Sequence, residues 1–555
     1  MSLATMGINR LLGTMFLGVA LLYPQILPAQ GLSVTSTNGA VTVSWPAANF
    51  YDLLQTNTDL SQTNGWGNVG SASPLTALSQ LFAVNSWGSS NFSGTSFRVS
   101  QPVANAGQFF RLKTPSFPFP LFSFAIFYDP LLEFSDSTTL TMSGYVHANG
   151  PIYTGAGTNE SQTFDATVTT ASTISSPDNA GFSSGAWGPV IFNGNPPFAT
   201  NTPAFVSPFG TNNPHVLIEI PPAGESAASS LGQLRLYNWA QVLLLVSNSP
   251  AGGAPCVRVV LQASYNGQAP GADPSPLILM LTNATPAFLN TNSIIPLPFL
   301  SLTNTFADQR ENQAGMYVAQ IDVGAYGTWL STNLTLHTAG LNNGGNNLAT
   351  ILYVADQRNI GTSKLAVVRL FNAQKLPPNT TPTGQNLGFS VATPNPLYLW
   401  GNYNTTQDGV HFALTLGATT NGYTVPAALF ADAITVLSSS WSDAKSLDSY
   451  SQRNTVAFNL VMNAAIVAGN VPSTGTSAIT FSGGVQNLTR MLENWVSVTL
   501  TYNTSLVCLY SSQMATNQFQ MPGIYYNPPT RIWAFDPNFY DAGKLPPGTP
   551  FYTLP

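Results

Sequence analysis

The sequence predicts a mainly β protein: an N-terminal β-sandwich, then a right-handed β-helix or solenoid-like domain with a large, mostly β insertion. Apolar runs of about four to eight residues recur between turns rich in Gly, Asn, Ser and Pro, which is the pattern of strands. This pattern is densest between Asn395 and Thr516. Of the 555 residues, 44% are hydrophobic and only 7% are charged. No strict repeat length is present, and a β-sandwich is the competing geometry for this region.

The low charge content restricts the classes of function. Ordinary globular domains carry about 25% charged residues, so Ser, Thr, Asn, Gln and Gly must cover most of this surface. Uncharged polar surfaces of this kind are common in secreted β-rich proteins. The net charge is −6, and no basic patch is available to neutralise phosphates. The sequence therefore predicts no nucleic-acid partner.

Residues 1–30 have the pattern of a secretory signal peptide. Arg10 provides the positive charge, residues 11–23 form a short apolar stretch, and Ala29 offers a cleavage site. An uncleaved N-terminal anchor is the alternative. No later stretch has 18 unbroken apolar residues. We therefore expect export to the cell surface, the periplasm or the extracellular space, without an integral membrane span after signal removal.

Residues 31–113 are predicted to form a small β-sandwich. The segment 41–46 (VTVSWP) alternates with period two after a turn at Asn38 and Gly39, and residues 109–112 (FFRL) close the unit. Together with residues 54–60 and Trp66, these segments resemble the fibronectin type III-like modules of bacterial exported proteins. The resemblance implies a spacer or binding module, in which Trp45 is a core residue.

The rest of the chain is divided by changes in pattern. Three prolines in residues 114–120 (TPSFPFP) predict a stiff linker. Asn-rich turns at residues 401–404 and at Asn463 predict left-handed corners with stacked side-chain amides. The predicted parts are the first solenoid rungs at 121–157, the mostly β insertion domain at 158–389, further rungs at 390–521 and a Pro- and aromatic-rich C-terminal cap at 522–555.

Several blocks carry a resemblance to a known family. They include residues 124–128 (FAIFY), 142–152 (MSGYVHANGPI), 236–240 (LYNWA) and 306–311 (FADQRE), and three further blocks lie at 395–404, 426–438 and 483–495. Across about residues 121–550, the chain resembles the type IV pilus assembly PilX-like family of bacterial envelope proteins. The resemblance implies a β-helical core, a place in the cell envelope and no known catalytic activity. PilX-like proteins usually begin with a pilin-type hydrophobic helix, whereas this chain begins with a signal sequence and a β-sandwich.

The histidines and cysteines do not predict a metal site. His147 lies in a turn-rich segment far in sequence from the other histidines and is expected to bond the next rung. No spacing typical of zinc ligands or of an Asp-rich calcium loop occurs. We therefore predict no cofactor. Cys256 and Cys508 either form one disulfide or remain two buried thiols; the sequence does not choose.

The scarce charged residues have two interpretations. Asp308, Arg310, Glu311 and Asp322 could supply a pair of catalytic carboxylates of the kind that glycosidases use. The alternative is a buried structural ion-pair cluster. The same two interpretations apply to four further positions: Asp356, Arg358, Asp432 and Glu493, the last with its neighbour Asn494.

The sequence thus supports two hypotheses about function. The first is a non-enzymatic envelope or surface protein with a structural, adhesive or pilus-associated role, whose partners are other envelope or pilus components or surface glycans. The second is a polysaccharide-binding or polysaccharide-degrading β-helix. In the second, exposed rings would stack on sugars, and burial of those rings would count against it. The rings proposed are those of Trp400, Tyr403, Trp441 and Trp495.

Overall fold

The structure is a computed structural model, and its description covers most of the chain beyond residue 31. It describes residues 32–37, 40–46, 48, 50–58, 60–62, 64, 66–69, 96–102, 109–113 and, from 118 to 555, all except 138, 176–187, 211–212, 249–254, 263–276, 279–286, 291–292, 312–313, 333–341, 344–345, 381–383, 385, 454–457, 474–483 and 520–524. The predicted signal peptide lies outside the described residues. Those up to Lys113 belong to one compact unit, and those from Pro118 onward to a second.

The first unit contains two three-stranded antiparallel sheets, with strand orders β1-β2-β5 and β4-β3-β6. Inward and outward side chains alternate along β2, so Val43 and Trp45 are buried. This confirms the prediction that Trp45 is a core residue. The strands are β1 (Ser33–Thr37), β2 (Ala40–Pro46), β3 (Leu53–Asn57), β4 (Gly67–Asn68), β5 (Ser96–Pro102) and β6 (Phe109–Lys113).

Most of the regular secondary structure of the second unit consists of short strands. Its first strands are β7 (Phe119–Pro120), β8 (Ile126–Tyr128), β9 (Leu132–Ser137), β10 (Leu140–Met142), β11 (Val146–Ala148), β12 (Ile152–Ala156), β13 (Gln162–Phe164), β14 (Val168–Thr170), β15 (Ile174–Ser175), β16 (Val190–Phe192) and β17 (Phe198–Ala199). The middle strands are β18 (Val242–Asn248), β19 (Pro255–Leu261), β20 (Leu277–Ile278), β21 (Ala287–Asn290), β22 (Ser293–Pro296), β23 (Leu300–Ser301), β24 (Thr305–Asp308), β25 (Ala314–Asp322), β26 (Asn342–Asn343), β27 (Asn346–Asn347), β28 (Ile351–Asp356) and β29 (Lys364–Lys375).

The remaining strands lie in the region with the strongest strand pattern and beyond it. They are β30 (Phe389–Ala392), β31 (Leu397–Thr406), β32 (Ala427–Ala431), β33 (Ile434–Leu437), β34 (Leu460–Asn463), β35 (Ala465–Ala468), β36 (Thr489–Met491), β37 (Thr499–Thr504), β38 (Leu506–Cys508), β39 (Thr530–Phe535) and β40 (Phe551–Tyr552). The α-helices described are α1 (Leu236–Trp239) and α2 (Val323–Thr332). Short 3-10 turns occupy Leu121–Ser123, Pro214–Leu217, Gly232–Leu234, Ala418–Asn421, Asp443–Lys445, Gly484–Asn487, Pro537–Tyr540 and Ala542–Lys544.

A twelve-stranded sheet runs through the second unit. Its order is β17-β14-β11-β8-β38-β35-β32-β30-β28-β18-β19-β20. Every pairing from β17 to β18 is parallel, and only the last two pairings are antiparallel. The central strands are fully buried, as in Ala465–Ala468. Strands covered on both faces read as continuous apolar runs, which explains why this region has the clearest strand signal.

From β23 onward, a ten-stranded sheet contains most of the strands that lie between these along the chain, whereas β9, β10, β12, β13, β15 and β16 form two separate three-stranded sheets. In the ten-stranded sheet β31 pairs with β29 on one side and, on the other, with β33 through its first half and with β34 through Tyr403. The chain bends within β31 because Gly401 and Asn404 adopt left-handed backbone angles, with φ of 86° and 53°. The two halves of β31 thus pair with two different strands, β33 and β34. In the next turn, β36 pairs with β33 and β37 pairs with β34.

The predicted stack of amides is present at this bend. Asn463 donates through Nδ2 to the Asn404 carbonyl over 2.9 Å, and Asn503 donates through Nδ2 to Asn463 Oδ1 over 2.6 Å. All three side chains are buried. Because buried amides are costly unless bonded, this ladder fixes the register of three neighbouring strands. The prediction of stacked amides is confirmed for Asn404 and Asn463. The predicted left-handed corner is confirmed at Asn404 but is wrong at Asn463, which is the last residue of the extended strand β34.

The order of strands departs from the predicted domain division. The strand β8 pairs with β11 on one side and with β38 on the other, so the first strands of the unit continue the sheet of the last ones. Strands from residues 158–389, including β14, β18 and β28, lie in that same sheet. This range therefore does not stand apart as an insertion domain. The loops that connect the strands of this range vary widely in length, so the sequence shows no regular spacing from which these strands could be assigned to the sheet.

Two local predictions are confirmed and three are corrected. The sequence predicts a helix at residues 324–331, and helix α2 contains them. It also predicts a hairpin from residues 234–246 and 257–263, and β18 and β19 form that hairpin. The end of the predicted linker is instead strand β7, which pairs with β40 and buries Phe119. The predicted C-terminal cap contributes β39 to the ten-stranded sheet. Residues 488–493, for which a helix is the sequence-based expectation, contain strand β36, because the neighbouring strand β33 pairs with it in parallel.

A search of the described residues for membrane-crossing helices finds none of sufficient length and apolar character.

Candidate functional site

Two of the four charged residues singled out around position 310 each bond a side chain that is distant in sequence, and a third bonds a distant backbone carbonyl. Asp308 ends β24 and accepts a bond of 2.7 Å from the Tyr398 hydroxyl, while Arg490 Nη1 lies 2.8 Å from Glu311 Oε1. Arg310 donates through Nε to the carbonyl of Asn517 over 3.1 Å. We call Asp308, Arg310, Glu311, Tyr398 and Arg490 the buried charge cluster, since each is at most 6% exposed.

The electrostatics of the buried charge cluster are set by burial. Burial lowers the pKa of Arg310 to about 9, with a further contribution from the like charge of Arg490. Arg310 therefore stays charged at neutral pH. Burial also raises the pKa of Glu311, and the adjacent Arg490 opposes that rise. The acidic and basic groups therefore neutralise one another. This arrangement matches a buried structural ion-pair cluster and not a pair of catalytic carboxylates.

Asp322 does not join this cluster. Its Oδ1 accepts bonds from the backbone amide of Ala325 over 2.9 Å and from Asn372 Nδ2 over 2.8 Å. It therefore satisfies an amide in the first turn of α2, as acidic residues commonly do. The Asp356 and Arg358 side chains form a separate buried pair, with Nη2 and Oδ2 2.6 Å apart. Asp322 and the Asp356–Arg358 pair therefore have structural roles.

Asp432 lies at the corner between β32 and β33 and is completely buried. His215 Nε2 approaches its Oδ1 at 3.3 Å, and the backbone amides of Gln513, Met514 and Ala515 all donate to its carboxylate. Burial acts to raise the pKa of Asp432, but these bonds outweigh it and hold the pKa below its ordinary value. His215 could not be assigned to Asp432 from the sequence, because 217 positions separate the two residues.

Glu493 is buried beside Ser438. Its two carboxylate oxygens accept bonds from the Ser438 backbone amide over 2.7 Å and from the Ser438 hydroxyl over 2.6 Å. Burial raises the pKa of Glu493 to about 7, although Ser438 and the nearby Arg453 partly oppose the rise. A raised pKa is also a property of catalytic acids, but Glu493 is 0% exposed. No substrate can reach it in this structure.

Glu493 gives a prediction for the pH dependence of stability. The folded chain binds this proton more tightly than the unfolded chain, so Glu493 makes the protein less stable as pH rises from about 4.5 to about 7. A glutamine in its place can accept the bond from the Ser438 amide through its oxygen and donate to the Ser438 hydroxyl through its nitrogen, and it does not titrate. The free energy of unfolding of Glu493→Gln, relative to wild type, should therefore increase by about 3 kcal/mol between pH 4 and pH 8. Denaturant titrations at several pH values measure this difference.

The control for this prediction is Glu160→Gln, at an exposed carboxylate that bonds Thr139. The relative stability of this control should show no such increase. A constant difference between Glu493→Gln and wild type across the same range would show that the Glu493 carboxyl titrates normally.

The rings proposed to stack on sugars are largely inaccessible. Tyr403, Trp441 and Trp495 are at most 4% exposed. Trp400 is half-buried and lies under Arg369, whose guanidinium carbon is 5.0 Å from the ring centre. Burial of three of the four rings counts heavily against a sugar-binding platform at these positions.

The cysteines are free thiols: Cys508 is buried, and Cys256 is partly buried. The disulfide alternative is therefore wrong in this structure. Within the described part of the chain, no group of three or more His, Cys, Asp or Glu side chains is placed to hold a metal ion. His147, in contrast, bonds Thr169 of the neighbouring strand through Nδ1 and Oγ1 over 2.9 Å, which confirms its predicted structural role.

The resemblance to the PilX-like family stays a prediction that rests on the sequence blocks alone. Comparison with models of protein families, with curated proteins and with solved structures finds no match for this chain.

Proposed function

We propose that the chain is an exported, non-enzymatic envelope or surface protein with a structural, adhesive or pilus-associated role. In this proposal the first unit is a fibronectin type III-like β-sandwich that serves as a spacer. The second unit is a β-helix whose successive strands build a rigid scaffold. The sandwich and the β-helix are the specific forms that we propose for the two antiparallel sheets and for the parallel sheets described above.

The parallel strand order supports the β-helix. From β30 to β38 the chain passes repeatedly between the two sheets, with one strand of each turn in the twelve-stranded sheet and one or two in the ten-stranded sheet. In each sheet these strands pair in parallel with the strands one turn earlier. The amide ladder of Asn404, Asn463 and Asn503 repeats one residue type at one corner of successive turns. Each turn thus buries its inner face against its neighbours, as in repeat architectures.

The observation that carries the non-enzymatic role is the state of the carboxylates proposed as catalytic. Asp308, Glu311, Asp432 and Glu493 are all at most 6% exposed, and each already accepts bonds from the protein. A glycosidase needs two carboxyl groups that face the substrate across an open groove. Within the described residues these four do not provide such a pair.

The catalytic alternative and the export proposal can be tested together with the full chain. We expect the purified protein to release no reducing ends from a panel of neutral and acidic polysaccharides. We also expect the full-length form, expressed in a bacterium, to leave the cytoplasm, and a form lacking residues 1–30 to remain there. Release of reducing ends that disappears in Asp308→Asn would overturn the non-enzymatic role. Cytoplasmic retention of the full-length form would overturn export.

A further inference from the structure

A polar cleft lies between the loop that follows β31 and the two 3-10 turns that follow β39. Its volume is about 370 Å³, within the range of about 300–1,000 Å³ that is typical of pockets for small ligands. We call it the polar cleft and define it by six lining side chains: Gln407, Thr420, Asp536, Asn538, Asp541 and Lys544. It lies apart from the buried charge cluster and from the four rings considered above.

The wall of the polar cleft mixes hydrogen-bond donors and acceptors at close spacing. Lys544 Nζ donates to Asn538 Oδ1 over 3.3 Å, and Asn538 Nδ2 donates to the carbonyl of Thr419 over 3.1 Å. At the base of the wall, the buried Asp536 accepts a bond of 3.0 Å from the backbone amide of Asn538. The bonds at both ends of the Asn538 side chain orient its amide before any ligand arrives, which reduces the entropic cost of binding.

The exposed groups of the cleft retain bonding capacity. Lys544 carries three N–H donors, one of which bonds Asn538, and Asp541 has several lone pairs, one of which accepts from the amide of Gly543. A ligand that offers hydroxyl groups can both donate to the carboxylate and accept from the ammonium group. Val425 and Phe539 add apolar surface beside them.

The charge of the wall excludes other ligand classes. Two carboxylates and one ammonium group leave a net charge of about −1, which disfavours phosphates, sulfates and uronic acids. An ammonium ligand would pair with Asp541 but would be repelled by Lys544. A neutral polyol matches amides, carboxylates and an ammonium group together, and its C–H faces suit the apolar part of the wall.

We propose that the polar cleft binds a neutral saccharide of about one or two rings, such as the terminal part of a surface glycan. The proposal goes beyond the scaffold role and depends only on the fold of the second unit, so it can fail while the export and non-enzymatic proposals stand. It also places sugar recognition away from Trp400, Tyr403, Trp441 and Trp495.

Saturation-transfer NMR on the full chain tests this proposal with named probes. The neutral probes are glucose, galactose, mannose, N-acetylglucosamine and their common disaccharides. The competing probes are glucuronic acid, inorganic phosphate and N-acetyl-lysine methylamide. We expect transfer to at least one neutral sugar and little to the competing probes. The double variant Asp541→Ala with Lys544→Ala should weaken the Kd for that sugar at least tenfold.

The matched control removes the same two charge types at exposed positions outside the cleft, in Asp165→Ala with Lys375→Ala, and should leave the Kd unchanged. Gln407→Ala is a second cleft variant, and unchanged circular dichroism verifies that each variant is folded. The proposal is overturned if no neutral sugar binds, if a competing probe binds instead, or if the folded cleft variants bind the sugar as wild type does.

Discussion

Replacing Asp432 by Ala is expected to remove on the order of 5 kcal/mol from the free energy of unfolding of the second unit, because three backbone amides lose a completely buried carboxylate as acceptor and each unsatisfied group costs about 1–3 kcal/mol. The Asp432 carboxylate accepts bonds from His215 Nε2 and from the backbone amides of Gln513, Met514 and Ala515. Loss of the bonds to a charged acceptor makes the effect larger than that of an ordinary core substitution.

Guanidinium titrations followed by circular dichroism measure this loss. The matched control is Asp408→Ala, which removes another carboxylate bonded to a histidine, His411 Nδ1 at 2.7 Å, and to neighbouring amides. Asp408 is 50% exposed, so water replaces its bonds and the expected loss is only a small fraction of that for Asp432. Equal losses in the two variants would show that the bonds to Asp432 are no stronger than surface bonds.

Asp432 shows what can and what cannot be predicted from the sequence. Its identity is informative, because an acid among apolar residues must have partners or be neutral. Its partners cannot be predicted: they lie 217 residues before it and 81 to 83 residues after it. Pairing at such distances depends on which strands become neighbours, and one sequence with irregular spacing does not contain that information in readable form.

The same reason explains which parts of the fold could be predicted. From β30 to β38 the strands of the twelve-stranded sheet begin 38 or 41 residues apart, and the sequence pattern indicates rungs in this region. From β18 to β28 the interval is 109 residues, so the sequence suggests an insertion. The pairing of β8 with β38 joins residues 380 positions apart, and no local pattern indicates it. The left-handed corner at Asn404 could be predicted because the preference of Asn for this backbone conformation does not depend on distant residues.

The exposure of the aromatic rings could not be predicted for a related reason. An apolar run predicts burial of a strand, but it does not state which residues at its ends face outward. Trp441 and Trp495 follow β33 and β36 in loops, where exposure is the simpler expectation. Both are buried because the loops fold back over the sheet: Trp441 contacts Phe306, with ring centres 5.8 Å apart. Burial of a loop residue is a tertiary property.

His147 is expected to produce a large pH dependence of stability between pH 8 and pH 4. It is fully buried on β11, stacked on Phe127 with ring centres 5.4 Å apart, and its Nε2 lies 3.1 Å from Asn149 Oδ1. Burial lowers its pKa to about 3, although the bond to Asn149 opposes the shift. The unfolded chain binds this proton from about pH 6.5 downward, whereas the folded chain does not.

Because only the unfolded chain binds this proton, acid makes the folded state less stable. His147 leaves stability intact above about pH 6.5, and the folded state loses stability as pH falls toward 3. The full loss is about 5 kcal/mol, of which about 3 kcal/mol is reached at pH 4. The side chain of His147→Gln does not titrate, so the free energy of unfolding of this variant relative to wild type should rise by about 3 kcal/mol between pH 8 and pH 4. The control His411→Gln changes a ring that is 56% exposed and should show no comparable rise.

Glu493 and His147 oppose each other over the same range. As pH falls from 8 to 4, protonation of Glu493 adds about 3 kcal/mol to the stability of wild type, while His147 removes a similar amount. From these two groups alone, wild type should show a nearly flat profile. Glu493→Gln should then be destabilised by acid, and His147→Gln should be stabilised by it. If both single variants remain as flat as wild type, neither buried group titrates as proposed, and the flat profile has another origin.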